Sequence, residues 1–149
     1  MTILNKISEV DINRMVNNTP IFSGIGIHEQ HLLASKWDIE DRKADETIIK
    51  QGDIGDRCYI ILKGSVIISK KLPLKPPVKI NILNKGDVFG EIAILRNIPR
   101  TADVITLTPC TFLSIDAKNF LEIYKSFSPK SRDNIQLVIE KRLQQHRIE

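Results

Sequence analysis

The sequence has no apolar run long enough to span a membrane, and its first residues, MTILNKISEVD, contain acidic residues and no long apolar core of a secretory signal. The absence of both features predicts a soluble, cytoplasmic protein without a membrane span. The 149 residues fall within the usual size of one domain, and a hydrophobic content of 42% is sufficient for one core. We therefore expect a single domain over residues 1–149.

Aromatic residues are scarce, with one Trp, two Tyr and five Phe, and they are not interleaved with clusters of basic residues. The 22 basic and 18 acidic residues leave a net charge of only +4. A nucleic-acid-binding surface usually shows a concentrated basic patch. The composition therefore gives little support to direct nucleic-acid binding.

Cysteine and histidine are also too few for a disulfide framework or an obvious metal centre. Cys58 and Cys110 lie far apart, each in an apolar strand-like run where a thiol usually behaves as a small buried hydrophobe. His28 and His31 form HEQH, one residue short of the zinc motif HExxH. A cupin-type metalloenzyme would need His and Glu on neighbouring strands, whereas all three histidines fall in predicted helices. We expect no metal, no cofactor and no disulfide.

One segment, Phe89–Val104, has the sequence FGEIAILRNIPRTADV and combines three groups that suit a ribose phosphate. Gly90 lets the backbone approach a bound group closely, and the free N–H groups of the turn that follows favour an anion. Arg100 can donate two parallel hydrogen bonds to the same phosphate. Glu91 only accepts hydrogen bonds when ionised, so it must face a donor such as a sugar hydroxyl.

These residues resemble the phosphate-binding cassette of the cyclic nucleotide-binding domain family. The family pattern is FGE, a small residue two positions later, and Pro-Arg followed by small residues. It is met here by Phe89-Gly90-Glu91, Ala93 and Pro99-Arg100-Thr101-Ala102. The segment GDIGDRCYIILKG matches the family's turn into a strand that ends at glycine. The resemblance extends over Pro20–Phe127.

The resemblance implies a role for each residue of the cassette. Glu91 would accept a hydrogen bond from the ribose 2′-hydroxyl, and Arg100 would hold the cyclic phosphate with the base directed outward. The backbone amides that assist Arg100 would be those of Ile92, Ala93 and Thr101, with Gly90 and Ala102 beside them. The cassette offers one arginine, one glutamate directed at the ribose and no histidine, whereas hydrolysis would need a metal or a placed general base near the phosphate, so we predict binding without catalysis. In the alternative interpretation Glu91 and Arg100 pair with each other, and the chain is a structural or interaction domain with a dead pocket.

Residues 38–116 read as short strands separated by glycine-containing turns, which predicts a mainly β fold with flanking helices. Tyr59–Leu62 and Val66–Ile68 are apolar on both faces, so we expect both runs to be covered on both sides. Lys63-Gly64-Ser65 between them predicts a tight hairpin turn. The many short strands favour closure into a small β-barrel or a jelly roll.

The next predicted strand alternates, with Val78, Ile80 and Ile82 expected on one buried face. Leu83 breaks the alternation, so it either looks into a cavity where it supports a base or packs in the ordinary way. The preceding segment, KKLPLKPPVK at residues 70–79, contains four lysines and three prolines without an acidic residue. We interpret it as a solvated loop, with a docking site for an acidic partner as the alternative.

Helices are predicted on both sides of the β region. In residues 1–37, one helix over Ser8–Val16 is capped by Ser8, and a second runs from about His28 to Lys36 with Leu32, Leu33 and Trp37 facing inward. In residues 117–149, helices are expected over Ala117–Ser126, where Phe120, Leu121 and Tyr124 are apolar, and over about Ser131–Arg147.

The last predicted helix has an apolar stripe of Ile135, Val138, Ile139 and Leu143. In relatives this helix forms a hinged lid and often dimerises, so we expect lid residues within Ile135–His146 and a possible homodimer or effector contact. No helix-turn-helix, kinase or channel pattern follows. The output is therefore expected in another chain, in a further segment, or in binding itself.

The identity of the nucleotide depends on Thr101. A hydroxyl next to Arg100 can bond the exocyclic amine of guanine, and in the resembling eukaryotic kinases a Thr at this place accompanies cyclic GMP. Bacterial activators and ion channels of the family also carry Ser or Thr there and respond to cyclic AMP. We expect cyclic AMP, with cyclic GMP as the alternative.

Overall fold

The computed structural model describes residues 9–145 and contains eight strands in two sheets, with helices before, within and after them. In chain order the elements are α1 (Glu9–Asn17), α2 (Ile27–Ala34), β1 (Asp38–Arg42), β2 (Thr47–Ile49), β3 (Arg57–Lys63), β4 (Val66–Lys70), β5 (Val78–Leu83), β6 (Val88–Phe89), α3 (Glu91–Arg96), β7 (Asp103–Thr106), β8 (Cys110–Asp116), α4 (Ala117–Ser126) and α5 (Pro129–Gln145). No helix within this range is long and apolar enough to cross a bilayer.

The two sheets are four-stranded and antiparallel, with the strand orders β1-β8-β3-β6 and β2-β7-β4-β5. The predicted mainly β fold with flanking helices is confirmed, and its architecture is the jelly roll. The alternative of a closed barrel is wrong, because the described strands form two separate sheets. Two sheets packed face to face bury every second side chain, and so does a closed barrel. Alternating hydrophobicity along the strands therefore cannot distinguish the two architectures.

Strand β3 separates two hydrophobic clusters, which explains why it is apolar on both faces. Tyr59 and Ile61 point into a cluster between the two sheets that also contains Phe89 and Phe112. Cys58, Ile60 and Leu62 point to the other side, into a cluster that the helices cover. The prediction that Tyr59–Leu62 is covered on both sides is thus confirmed. Truncating Ile60 to Ala would cost on the order of 2–5 kcal/mol. Cys58 and Cys110 are both free and buried.

The predicted hairpin at Lys63-Gly64-Ser65 is wrong, because β3 and β4 belong to different sheets. The chain crosses between sheets at Gly64, which has φ +95°. A Cβ there would lie 2.5 Å from the Pro109 carbonyl oxygen and 2.7 Å from Cys110 Sγ. Glycine is therefore required at this position. A hairpin turn would require glycine as well, so the sequence could not distinguish a hairpin from a crossing between sheets.

The alternation predicted for β5 fails at its end. Ile82 is 51% exposed, whereas Leu83 is buried. Ile68 pairs with Asn81 and Ser69 pairs with Lys79, so that Ile80 is an extra residue on β5. A β-bulge of this kind shifts the inward positions by one residue.

The flanking helices lie near their predicted positions. Leu33 and Trp37 are buried as expected, but Leu32 is 43% exposed, because consecutive residues on a helix point about 100° apart. Phe120 of α4 and Ile135 and Ile139 of α5 are buried. The predicted cap at Ser8 and the predicted helix end at Arg147 lie outside the described residues.

Glu29 of α2 fixes the start of α5. Its carboxylate accepts hydrogen bonds from the backbone N–H groups of Gly26 and Ser128 and from the Ser131 hydroxyl. Helix α5 starts at Pro129, two residues before the predicted start, in agreement with the preference of proline for the first helical turn. These contacts hold α5 so that its C-terminal half reaches α3 and β6.

Candidate functional site

A cavity of about 400 Å³ lies between the sheet β2-β7-β4-β5, the short helix α3 and the C-terminal half of α5. It gathers seven of the eight site residues predicted from the sequence, together with further residues from both sheets and α5. Its lining comprises Ile49, Ile68, Lys70, Ile80, Phe89, Gly90, Glu91, Ile92, Ala93, Arg100, Thr101, Ala102, Val104, Arg142 and Leu143.

Gly90 makes the turn from β6 into α3 and has φ +87°. A Cβ at this position would lie 3.0 Å from both the Arg57 carbonyl oxygen and Arg100 Nη1. Glycine is therefore needed for two reasons: it tolerates the left-handed backbone conformation, and its missing side chain leaves room for the guanidinium of Arg100. The turn places Glu91, Ile92 and Ala93 at the beginning of α3, where backbone N–H groups have no partner within the helix.

Arg100 is buried, and backbone carbonyl groups hold its guanidinium in place. Nη1 donates to the Gly90 carbonyl oxygen over 2.7 Å, and Nη2 donates to that of Arg57 over 2.6 Å. The nearest carboxylate is that of Asp56, at 3.5 Å, and its side chain is 82% exposed. A buried cation with so weak a counter-charge favours an incoming anion.

The alternative interpretation of the sequence was that Glu91 pairs with Arg100. In the structure Glu91 pairs with Arg142 instead. Its side chain is 1% exposed, and its Oε1 accepts a hydrogen bond from Arg142 Nη1 of α5. Its Oε2 is buried and has no hydrogen-bond partner among the residues that the structure describes. Burial raises the pKa of Glu91, and the positive charge of Arg142 acts against that increase. Leaving a buried acceptor unpaired costs about 1–3 kcal/mol, which a ligand hydroxyl could recover.

Arg142 was expected only as one of several polar residues of the predicted lid segment Ile135–His146, and its contact with Glu91 was not predicted. Besides Glu91, it contacts the Val88 carbonyl oxygen, to which Nη2 donates over 2.5 Å. A second ion pair from α3 to α5, Arg96 to Glu140 at 2.5 Å, lies nearby. One sequence feature could have indicated its role: Arg142 is a charged residue on the apolar stripe of α5, three residues after Ile139 and one before Leu143.

The outer part of the cavity is lined by apolar side chains and a lysine. Ile68 and Lys70 come from β4, Ile80 from β5 and Leu143 from α5. Leu143 lies within the predicted lid segment, whereas the other three were not predicted as site residues, since they come from strands distant from the cassette in sequence. These mostly apolar side chains suit a planar ring.

Leu83 does not reach this cavity. It lies in the core between the sheets and lines a separate cavity of about 370 Å³ with Ile21, Val88 and Val138. The bulge in β5 turns it inward. Its position agrees with ordinary packing, which was the second interpretation of the sequence.

The remaining chemistry of the described residues is sparse. No group of three His, Cys, Asp or Glu side chains within residues 9–145 is arranged to hold a metal ion. His28 and His31 lie on the exposed surface of α2. Among residues 9–145, Glu91 is the only carboxylate that lines the 400 Å³ cavity.

Comparison with known proteins connects this geometry to one family. The family described as "Cyclic nucleotide-binding domain" matches residues 40–127. The regulatory subunit of a cAMP-dependent protein kinase from Yarrowia lipolytica is 39% identical over 87 residues, which are 57% of this chain and 22% of the relative. A CRP-like cAMP-activated global transcriptional regulator from Mycobacterium tuberculosis is 28% identical over 123 residues, 83% of this chain and 54% of the relative.

Among solved structures, the regulatory domain of Toxoplasma gondii PKA, co-crystallised with cAMP, superposes with a TM-score of 0.79 and 26% identity. The match covers 91% of this chain and 50% of that one. The chain thus spans between about a fifth and a half of the length of these relatives.

Proposed function

The chain belongs to the cyclic nucleotide-binding domain family, whose pattern matches more than half of it, and we propose that it binds a 3′,5′-cyclic purine nucleotide in the 400 Å³ cavity. It is a regulatory ligand-binding domain of the kind found in PKA regulatory subunits and CRP-like regulators. We propose cyclic AMP as the ligand, since the names of both relatives and the co-crystallised neighbour refer to cAMP.

One observation carries the proposal. Glu91 and Arg100 line the same cavity, and among the described residues the buried Oε2 of Glu91 has no hydrogen-bond donor, while the buried guanidinium of Arg100 has only the exposed carboxylate of Asp56, at 3.5 Å, as a counter-charge. A ribose phosphate supplies both missing partners, because its hydroxyl donates and its phosphate is anionic. A ligand that carried only one of these groups would leave the other buried group unsatisfied.

Each part of the nucleotide then has its own contacts. The cyclic phosphate is held by Arg100 with the backbone amides of Ile92, Ala93 and Thr101, and the ribose 2′-hydroxyl donates to Glu91. The base extends toward the outer walls, which are Ile68, Lys70, Ile80 and Leu143. Leu83 has no part in this assignment.

The same proposal gives α5 a regulatory role. Arg142 and Leu143 line the cavity from α5, so a bound nucleotide contacts this helix only while it is docked. A ligand shifts an equilibrium toward the arrangement that it contacts better. Nucleotide binding should therefore favour the docked position of α5. The change in α5 would alter the surface available to a partner, and we predict that this partner is a second copy of the chain or an effector protein.

Binding is proposed to proceed without hydrolysis. Hydrolysis of a cyclic phosphate needs an activated water beside the phosphorus, generated by a general base or a metal. Within the described part of the chain, the only carboxylate that lines the cavity is that of Glu91, which is held by Arg142 and is assigned to the ribose. A cytoplasmic location is likewise a proposal, in keeping with an intracellular second messenger.

The direct test is a titration with a fluorescent cyclic AMP analogue, followed by displacement with unlabelled cyclic AMP and cyclic GMP. Arg100→Ala should weaken binding by on the order of 1.5–3 kcal/mol, since it removes a charge-assisted contact. Arg42→Ala is the matched control, because Arg42 pairs with Glu40 on β1 and does not line the cavity. A folded wild-type protein that shows no saturable, displaceable binding would be a structural domain with a dead pocket.

A further inference from the structure

The loop that connects β4 to β5 is strongly basic and is not used by the proposed nucleotide site, apart from Lys70 at its base. We call residues 70–79, KKLPLKPPVK, the basic loop. They comprise this connection together with the last residue of β4 and the first two residues of β5. It lies within a stretch, residues 57–86, that contains seven basic residues and no acidic one. Four of the seven, Lys70, Lys71, Lys75 and Lys79, belong to the basic loop itself.

Leu74 at the tip of this loop is the most exposed large apolar residue in the described part of the chain, at 106% of its reference area. Its φ is +57°, in the left-handed region that bulky residues rarely adopt. An apolar side chain is thus presented to solvent from a backbone conformation that is itself unfavourable for leucine. Neighbouring Pro73, Pro76 and Pro77 are also exposed, so the whole tip is accessible to a partner.

The base of the loop is fixed to the rest of the fold. The Gln51 side chain donates to the Lys71 carbonyl oxygen over 3.2 Å and accepts from the Lys71 backbone N–H over 2.7 Å. Lys71 Nζ lies 3.5 Å from Asp103 Oδ2. With three prolines restricting the backbone, little conformational freedom remains to be lost when the tip meets a partner.

We propose that the basic loop docks on an anionic phospholipid surface, with Leu74 inserted among the headgroups and Lys75 and Lys79 in contact with them. Both lysines are exposed, and neither forms an ion pair within the described residues. Each lysine near an anionic bilayer raises binding roughly fivefold, and one inserted apolar side chain adds to this.

A bilayer fits these features better than an acidic protein does. Lysines alone would suffice for an acidic polypeptide, which would leave the exposed Leu74 at the tip without a role. A membrane interface takes up an apolar side chain and surrounding cations together. The proposal does not depend on nucleotide binding.

The test is co-sedimentation of the purified protein with vesicles of phosphatidylcholine alone or with about 30% phosphatidylserine. The wild type should partition onto the anionic vesicles only, and less at high salt, because salt screens the lysines. Lys75→Glu with Lys79→Glu should lower the partition by at least roughly 25-fold. Leu74→Ser should lower it roughly tenfold.

Two matched controls separate the loop from general surface effects. Lys36→Glu with Lys118→Glu makes the same change in net charge at exposed sites elsewhere, and Ile54→Ser removes another apolar side chain that is 88% exposed. Both controls should leave most of the partition intact. Equal binding to neutral vesicles, or a Leu74→Ser variant that binds as the wild type does, would overturn the proposal. Retention on immobilised poly-glutamate without vesicle binding would assign the loop to an acidic protein instead.

Discussion

Arg142 of α5 donates a hydrogen bond to Oε1 of Glu91, the first residue of α3, and so ties the C-terminal helix to the start of the cassette. The two residues are 51 positions apart. The other oxygen of Glu91, Oε2, is buried and has no hydrogen-bond partner within residues 9–145. The carboxylate of Glu91 therefore contacts α5 through Oε1, and its Oε2 is available to a ligand.

The first prediction concerns this ion pair. Arg142→Ala leaves a buried carboxylate without its counter-charge and should lower the free energy of unfolding by about 3–5 kcal/mol. In the Glu91→Gln background the same substitution should cost much less, because no buried charge remains. Thermal or denaturant unfolding of the four proteins of this double-mutant cycle measures the coupling. Equal losses in both backgrounds would show that Arg142 stabilises through its own packing rather than through Glu91.

The second prediction concerns pH. Burial raises the pKa of Glu91 above the ordinary value of 4.5, so the folded chain holds this proton at a pH at which the unfolded chain has lost it. The carboxyl therefore contributes stability below 4.5 that is lost as pH rises through the raised pKa. Glu91→Gln cannot ionise, and its melting temperature relative to the wild type should rise over the same pH range.

Melting curves of both proteins in matched buffers provide this measurement, and groups other than Glu91 cancel in the difference. A relative melting temperature of Glu91→Gln that falls with rising pH would mean that the attraction of Arg142 outweighs burial.

The third prediction tests the ribose contact. Glu91→Ala and a 2′-deoxy ligand each remove one partner of the same proposed hydrogen bond, so each should weaken binding by about 0.5–1.5 kcal/mol or more. Applied together, the two changes should not add, because the bond can be lost only once. Titration of both ligands against both proteins gives the result. Additive losses would move the 2′-hydroxyl away from Glu91.

The fourth prediction concerns the motion of α5. Cyclic AMP should increase the hydrogen-exchange protection of residues 130–145 as well as that of residues 92–102, because Arg142 and Leu143 line the cavity from α5. Peptide-resolved hydrogen exchange with and without nucleotide measures both regions in one experiment. Protection confined to residues 92–102 would make the domain a passive binder.

The fifth prediction concerns the choice of base. Thr101 lines the cavity next to Arg100, where its hydroxyl can accept a hydrogen bond from the guanine amine. Thr101→Ala should therefore reduce the affinity for cyclic GMP selectively and leave cyclic AMP nearly unchanged, with cyclic AMP preferred by the wild type. Competition titrations with both nucleotides decide this. A wild-type preference for cyclic GMP of about tenfold, roughly 1.4 kcal/mol, would contradict our assignment.

The sequence by itself determined the features that depend on neighbouring residues. Gly90, Glu91 and Arg100 lie within one turn and its return, so their spacing was enough to predict that they meet, and the structure places all three around one cavity. The apolar runs of β3 and β4 predicted strands covered on both sides for the same reason. Short-range periodicity reports which face of an element is buried.

Only the tertiary structure decided what lies opposite those faces. The pairing of Glu91 with Arg142, the crossing between sheets at Gly64 and the bulge that turns Leu83 away from the cavity all depend on strand register and on where α5 docks. Register and docking arise from contacts between residues far apart in the chain, and such contacts leave local hydrophobic periodicity unchanged. The cassette could therefore be predicted from its own residues. The last helix was expected beside it only from the family resemblance, with lid residues within Ile135–His146, and the tertiary structure decided that Arg142 makes the contact with Glu91.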